Sequence, residues 1–346
     1  MKIIPHIRPF TSDNAGENYW FNSAMRYVME CLGELDYDYG FFAGLTGDNF
    51  TQFYPRNGNF SNNVMIYCAV SDCQMGADYA TWVFDQIGYT CEYVARKELL
   101  ANQAHYLQKI MAHIDRGLPV ICSDWGVFVG YEDGGQTLLF LTHEWTEPKR
   151  LHVCGDNFVE NIPHTENDRG HEFDDCDLIF IGEKKEQKDL ATLYREAISR
   201  LPAQLTGGTE DFIFGAAAFR AWADDVENGK FDNILMREGD GTWSYTNYVC
   251  VLATNGSCCF DFLQKAQELN PDMAFLSEIA ALYRKIGDMW HRDKDCLEKL
   301  GGGFNISYKT LTNAKKRAKI VAKIREFADV TDEILVLLKM YEGEAP

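Results

Sequence analysis

Apolar positions in the first half of the chain follow two alternating periods, helical and extended, whereas the second half keeps the helical one throughout. The clearest helical stretch is 18–33, where Phe21, Ala24, Met25, Val28, Met29 and Leu32 recur at three- and four-residue spacing. Asn14 followed by Glu17 has the form of a capping box, Asn18 offers a second N-cap, and Gly33 is a stop. The lead-in over 1–13 reads as extended, and 41–50 as a glycine-punctuated apolar loop or short helical turn. A strand is expected over 64–70, a helix over 77–87 with Tyr79, Trp82, Val83 and Ile87 inward, and a strand over 90–94. A single long helix over 97–116, ended by Gly117, follows.

The strongest extended signals come next. Residues 118–122 lead through Ser123-Asp124-Trp125-Gly126 into a run over 127–131, and an Asp133-Gly134-Gly135 turn feeds a second run over 137–141. Two apolar runs about such a turn form a hairpin. Residues 155–176 read as a polar loop carrying His164, Glu166, Asp168, His171, Glu172, Asp174 and Asp175, without the tight ligand spacing of a zinc site. A last strand over 177–182 precedes a charged linker over 183–189, where the domain boundary is expected. Helices are predicted over 190–201, 211–225, 245–269, 272–300 with a break, 307–316 and 318–340. The domains are therefore 1–185, α+β with an antiparallel sheet, and 190–346, all-helical.

Composition narrows the function classes. The 346 residues are 46% hydrophobic and 13% aromatic, enough for ordinary packed cores. A formal net charge of -19 argues against nucleic acid and anionic membranes as partners. The 11 cysteines are odd in number and scattered, which fits reduced thiols in a cytoplasmic setting. No apolar run approaches the roughly 18 residues of a membrane span, and no signal-peptide core is visible. No cofactor motif appears: Gly44 and Gly47 are not followed by the Gly-Lys-Ser/Thr of a phosphate loop.

Three stretches carry a family resemblance. The helix at 18–33 resembles the first long helix of papain-like double-glycine (bacteriocin-processing) peptidases, which runs Cys-Gly-Pro-small, an apolar stripe and a closing Gly. Gly117-Leu-Pro-Val-Ile with Gly126-Val-Phe-Val-Gly-Tyr-Glu-Asp-Gly is similar to the second motif of that group. Leu178-Ile-Phe-Ile-Gly-Glu-Lys, followed by Phe214-Gly-Ala-Ala-Ala-Phe-Arg-Ala-Trp, is similar to the butirosin biosynthesis protein H family, a papain-like domain with a helical C-terminal part. The resemblance implies a papain-like first domain and acyl-transfer ancestry.

Carried over position by position, the catalytic residues are missing. Matching Gly33 to the closing glycine puts Trp20, or its neighbour Tyr19 or Phe21, in the nucleophile's place, and no cysteine occurs before Cys31. The imidazole position falls at 124–126, which holds no histidine, and the orienting group falls near Thr142-His143-Glu144. A Cys–His enzyme needs both partners within hydrogen-bond reach. Cys31 lies about 16 Å further along the helix and reads as a core thiol. Ser23 could face the cleft with His143 as its base, and Cys73 and Cys122 are alternative thiols. Asp48 is a turn cap or a cleft residue. The expected cleft therefore comprises Trp20, Asn22, Ser23, Asp48, Asp124, Trp125, His143 and Glu144, an aromatic and acidic pocket suited to an amine-containing small molecule or a peptide. The expected function is a degenerate papain-like binding protein without cofactor or metal; the alternative is a peptidase, amidase or acyltransferase using displaced residues.

Overall fold

A computed structural model describes residues 1–10, 17, 19–57, 69–123, 126–142, 147–155, 157–160, 177–257 and 259–342. In chain order its elements are β1 (Lys2–Ile3), α1 (Trp20–Leu32), α2 (Tyr39–Thr46), β2 (Phe53–Pro55), α3 (Ala77–Gln86), β3 (Tyr89–Val94), α4 (Arg96–Ala101), α5 (Gln103–Asp115), β4 (Val120–Cys122), β5 (Gly126–Glu132), β6 (Thr137–Thr142), β7 (Lys149–Cys154), β8 (Phe158–Val159) and β9 (Leu178–Lys184). There follow α6 (Leu190–Thr206), β10 (Phe212–Phe214), α7 (Gly215–Glu227), α8 (Asp232–Glu238), α9 (Trp243–Ser257), α10 (Cys259–Leu269), α11 (Leu276–Gly287), α12 (Leu297–Leu300), α13 (Tyr308–Thr312) and α14 (Ala314–Glu342). The chain is a mixed α/β protein with an antiparallel sheet and C-terminal helices.

Two compact units result: 1–42 with 75–188, and 43–74 with 189–346. Residues 43–74, which the sequence assigns to the first domain, group with the helical unit because β2 pairs with β10. That register sets Phe53 against Phe214 and Tyr54 against Ile213.

The first unit is built on one antiparallel sheet in the order β3-β9-β4-β5-β6-β7-β8, with β1 pairing off β5. Val127, Phe128 and Val129 are buried in succession, as are Leu138 to Leu141 and Leu178 to Ile181. Consecutive burial means that both faces of the central strands are covered, so these strands read as continuous apolar runs. The hairpin between β5 and β6 closes through a tight turn over Asp133–Gly135, with Gly134 at φ 64°. The expected single helix over 97–116 is two helices. Asn102, at φ -134° and ψ 37°, ends α4 and starts α5. The expected linker over 183–189 is instead partly bound to the first unit. β9 runs to Lys184, Lys185 pairs with Asp85, and Gln187 donates to Glu34 and to Ile87 O. β7 and β8 were not foreseen. Of the strand expected over 64–70, residues 64–68 lie outside the described residues and Val70 instead opens a helical turn over Val70–Cys73; most of the polar loop over 155–176 also lies outside the described residues.

In the second unit, α7 and α14 pack along their lengths, and Phe219 meets Phe327 at 5.4 Å between ring centroids. Trp222, Tyr245 and Tyr248 form an aromatic core, and Tyr54 Oη donates to Asp225 at 2.9 Å. The expected break in 272–300 falls at a π-helical turn over Asp288–Arg292, after α11. Among the described residues, no helix is long and apolar enough to cross a membrane.

Candidate functional site

The N-terminal end of α1 is the place where the resemblance seats a nucleophile. α1 has no side-chain N-cap; the Tyr19 amide instead donates to Tyr39 Oη at 3.1 Å. Trp20 is 3% exposed and packs against Tyr19 and Phe21, at 6.0 and 5.5 Å between ring centroids. Phe21 continues the cluster to Tyr79, and Tyr79 to Trp82. Asn22 and Ser23 are fully buried, and Ser23 Oγ has no hydrogen-bond partner. Trp20, Asn22 and Ser23, expected to line a cleft, are therefore buried and present no open surface.

The capping box expected from Asn14 and Glu17 is replaced by an ion-pair network. Asn14 and Asn18 lie outside the described residues, and the Glu17 carboxylate accepts from Arg26 Nη2 at 3.2 Å and Arg8 Nη2 at 3.3 Å. Arg26 Nη1 donates to Glu30 at 3.1 Å, Arg8 Nη1 to Glu30 at 2.9 Å, and Arg26 Nη2 to Phe10 O at 2.6 Å. His6 Nε2 joins Glu30 at 3.0 Å. The network ties the extended lead-in to the buried side of α1. Burial, outweighing Arg26 and Arg8, raises the Glu17 pKa; burial pushes Glu30 the same way, but Arg26, the His6 hydrogen bond and Arg8 hold it below the usual range. The sequence signal was present in Arg26 and Glu30, four apart on one helix.

Asp48 is fully buried in the turn after α2 and belongs to the second unit. Its carboxylate accepts from Thr46 Oγ1 at 2.7 Å, Ser71 N at 2.8 Å and Ser71 Oγ at 2.7 Å. It thereby caps the helical turn over Val70–Cys73, which is the structural alternative rather than the cleft role. Trp20, Asn22 and Ser23 share one helix of the first unit. Asp124, Trp125, His143 and Glu144 lie outside the described residues.

The position meant for the base can be tested at its described edge. Gly126 opens β5 opposite Thr142, and a Cβ there would fall 2.3 Å from Phe140 Cζ and 2.5 Å from Leu141 O. No side chain fits at 126, an imidazole included. His113, on α5, has its ring nitrogens 3.0 Å from Ile181 O and 3.2 Å from Lys109 O, and burial lowers its pKa. It joins α5 to β9 through backbone, with no thiol.

Cys31, Cys73 and Cys91 are shifted away from nucleophilic use. Burial, with Glu30 adding to it, pushes Cys31 up to about 12. Burial also raises Cys73 well above the ordinary thiol range, with Asp72 and Asp48 contributing, and raises Cys91. Nucleophilic cysteines need the opposite shift, from a nearby cation or an open helix N-terminus. Among the described residues, Cys31, Cys73 and Cys91 have no imidazole hydrogen-bond partner, and Cys91 Sγ contacts Thr81 Oγ1. Among the described residues, no group of three or more His, Cys, Asp or Glu could hold a metal ion.

Compared with protein-family models and with curated proteins, the chain has no match.

Proposed function

We propose that the chain is a degenerate papain-like protein that binds an amine-containing or peptidic ligand and performs no thiol catalysis. What supports this reading is the sequence, which has no cysteine before Cys31 and Trp20 at the helix end where the resemblance expects sulfur; the indole is buried against Tyr19 and Phe21, so that helix end is closed and offers no open cleft. The raised pKa values of Cys31, Cys73 and Cys91 support it, because a thiol held protonated at neutral pH neither attacks carbonyls nor leaves an acyl-enzyme. The net charge of -19 favours a cationic ligand over an anionic one. A ligand at the α1 end requires the indole to leave its neighbours, so ligand binding and the environment of Trp20 are coupled.

Two measurements on the full chain separate binding from turnover. Stopped-flow mixing with 4-nitrophenyl acetate reads acyl-enzyme formation; the expected trace has no stoichiometric burst of nitrophenolate, and a one-equivalent burst assigns a working nucleophile and overturns the reading. Titration calorimetry with cadaverine, against pentanol as the neutral control, reads the ligand class. Saturable heat with cadaverine alone is expected, and equal silence from both removes the amine ligand.

A further inference from the structure

The second unit carries a groove that the resemblance does not involve. It lies between α11 and α14, encloses about 480 Å³, and is lined by Glu278 and Leu282 on one side and by Asp329, Asp332, Glu333, Val336 and Leu337 on the other. The helices run antiparallel: Tyr341 stacks on Phe275 at one end, with its hydroxyl on Asp272 O, and Lys285 lies 3.7 Å from Glu333 further along. Asp329 to Leu337 covers about 12 Å of α14 at ~1.5 Å per residue, the length of two helical turns.

The groove has an aliphatic floor and a carboxylate rim. Val336 is 56% exposed, and Met340 extends the same apolar face one turn on at 62%. Val336 and Met340, one helical turn apart, lie on one exposed apolar stripe beside Leu282 and Leu337 of the groove. Four carboxylates surround them. Arg220 pairs with Asp332 and reaches Asp329 at 3.8 Å, but its side chain is 47% exposed. Lys285 is 52% exposed beside Glu333. Such solvated pairs are worth little and open readily to a competing cation. Among the described residues, Glu278 has no ion-pair partner.

The geometry points to this groove as a docking site for a basic amphipathic helix of a partner protein, its apolar stripe on Leu282, Val336, Leu337 and Met340 and its lysines or arginines on the rim carboxylates. Charge complementarity selects that occupant. The rim carries four carboxylates against the two exposed cations Arg220 and Lys285, so its charge balance is negative and repels an acidic helix, while a purely apolar one would bury Glu278 and the rim pairs without compensation.

The test uses the full chain and a fluorescein-labelled, 14-residue leucine–lysine amphipathic peptide, with its leucine–glutamate counterpart as control, read by anisotropy. The lysine peptide binds in a salt-sensitive manner and the glutamate peptide does not. Glu278→Lys with Asp329→Lys, or Val336→Glu alone, weakens binding by about tenfold or more. These positions are exposed, and circular dichroism melting checks that each variant stays folded. Glu183→Lys with Glu186→Lys, an equal charge change in the first unit and outside the groove lining, leaves affinity within about twofold. The proposal is overturned if the wild-type chain does not bind the lysine peptide, or if the first-unit reversal weakens it as much as the groove variants. It is equally overturned if sedimentation finds a dimer that Val336→Glu dissociates, since the face then belongs to a second copy.

Discussion

Replacing Arg26 with methionine tests the network that holds the N-terminal lead-in on α1. The guanidinium is 2% exposed and supports two carboxylates, Glu17 and Glu30, besides donating to Phe10 O. Methionine keeps most of the apolar stem but leaves both carboxylates to Arg8, whose side chain is 32% exposed. Breaking a buried pair from one side costs about 3–5 kcal/mol, and the remaining Arg8 contacts place this case at about 3 kcal/mol. For a unit of this size that is a melting shift of about 6–12 °C, at about 2–4 °C per kcal/mol.

The pH dependence gives the prediction its sign. In the wild type the folded pKa of Glu30 lies below its unfolded value, so its contribution is present above the ordinary carboxylate value of 4.5 and is lost as pH falls through the folded pKa. Glu17 behaves oppositely: its folded pKa is raised, so its contribution is present below 4.5 and is lost as pH rises through the folded value. Without Arg26 both carboxylates move up, and the variant loses most at neutral pH and recovers toward the wild type on acidification. Urea unfolding followed by circular dichroism at pH 7 and pH 4 reads both effects. A loss below about 0.5 kcal/mol at pH 7, the size of an ordinary surface change, or an equal loss at both pH values refutes the network's role.

Two further outcomes follow from the same geometry. Trp20→Ala empties a nearly closed aromatic site and destabilises the first unit by about 3–5 kcal/mol in urea unfolding, whereas a loss within about 0.5 kcal/mol would place the indole on a surface. Asp48→Asn leaves a donor facing Ser71 and costs the second unit about 1–3 kcal/mol. It also removes one of the charges that raise Cys73, so iodoacetamide labelling of that thiol speeds up relative to the wild type; unchanged labelling would detach Asp48 from Cys73.

The fold was legible where one local period decides it. The stripe of α1, its Gly33 stop at φ 79°, and the hairpin of β5 and β6 about an Asp-Gly-Gly turn needed no distant partner. The break at Asn102 escaped because no glycine or proline marks it. β7 escaped because only Leu151 of its six residues is buried, which leaves an edge strand without an alternating signal. The assignment of 43–74 to the helical unit depends on β2 meeting β10 some 160 residues away, and no local pattern encodes such a pairing. The site was less legible still. The sequence offered Trp20 as a cleft residue, whereas the indole is buried against Tyr19 and Phe21, a packing that depends on neighbours no local pattern encodes. The buried charges at Arg26 and Asp48 looked like a helix face and a loop cap until their partners came into range.

The rate of iodoacetamide labelling at each cysteine of the native chain, measured by mass spectrometry from pH 6 to pH 9, tests the absence of thiol catalysis most directly. Cys31, Cys73 and Cys91 are expected to react more slowly than free cysteine, with Cys31 still rising at pH 9 because burial pushes its pKa up to about 12. One thiol that outpaces free cysteine at pH 7 and levels off there would contradict the account, because it would be the activated nucleophile that Trp20 is held to have displaced.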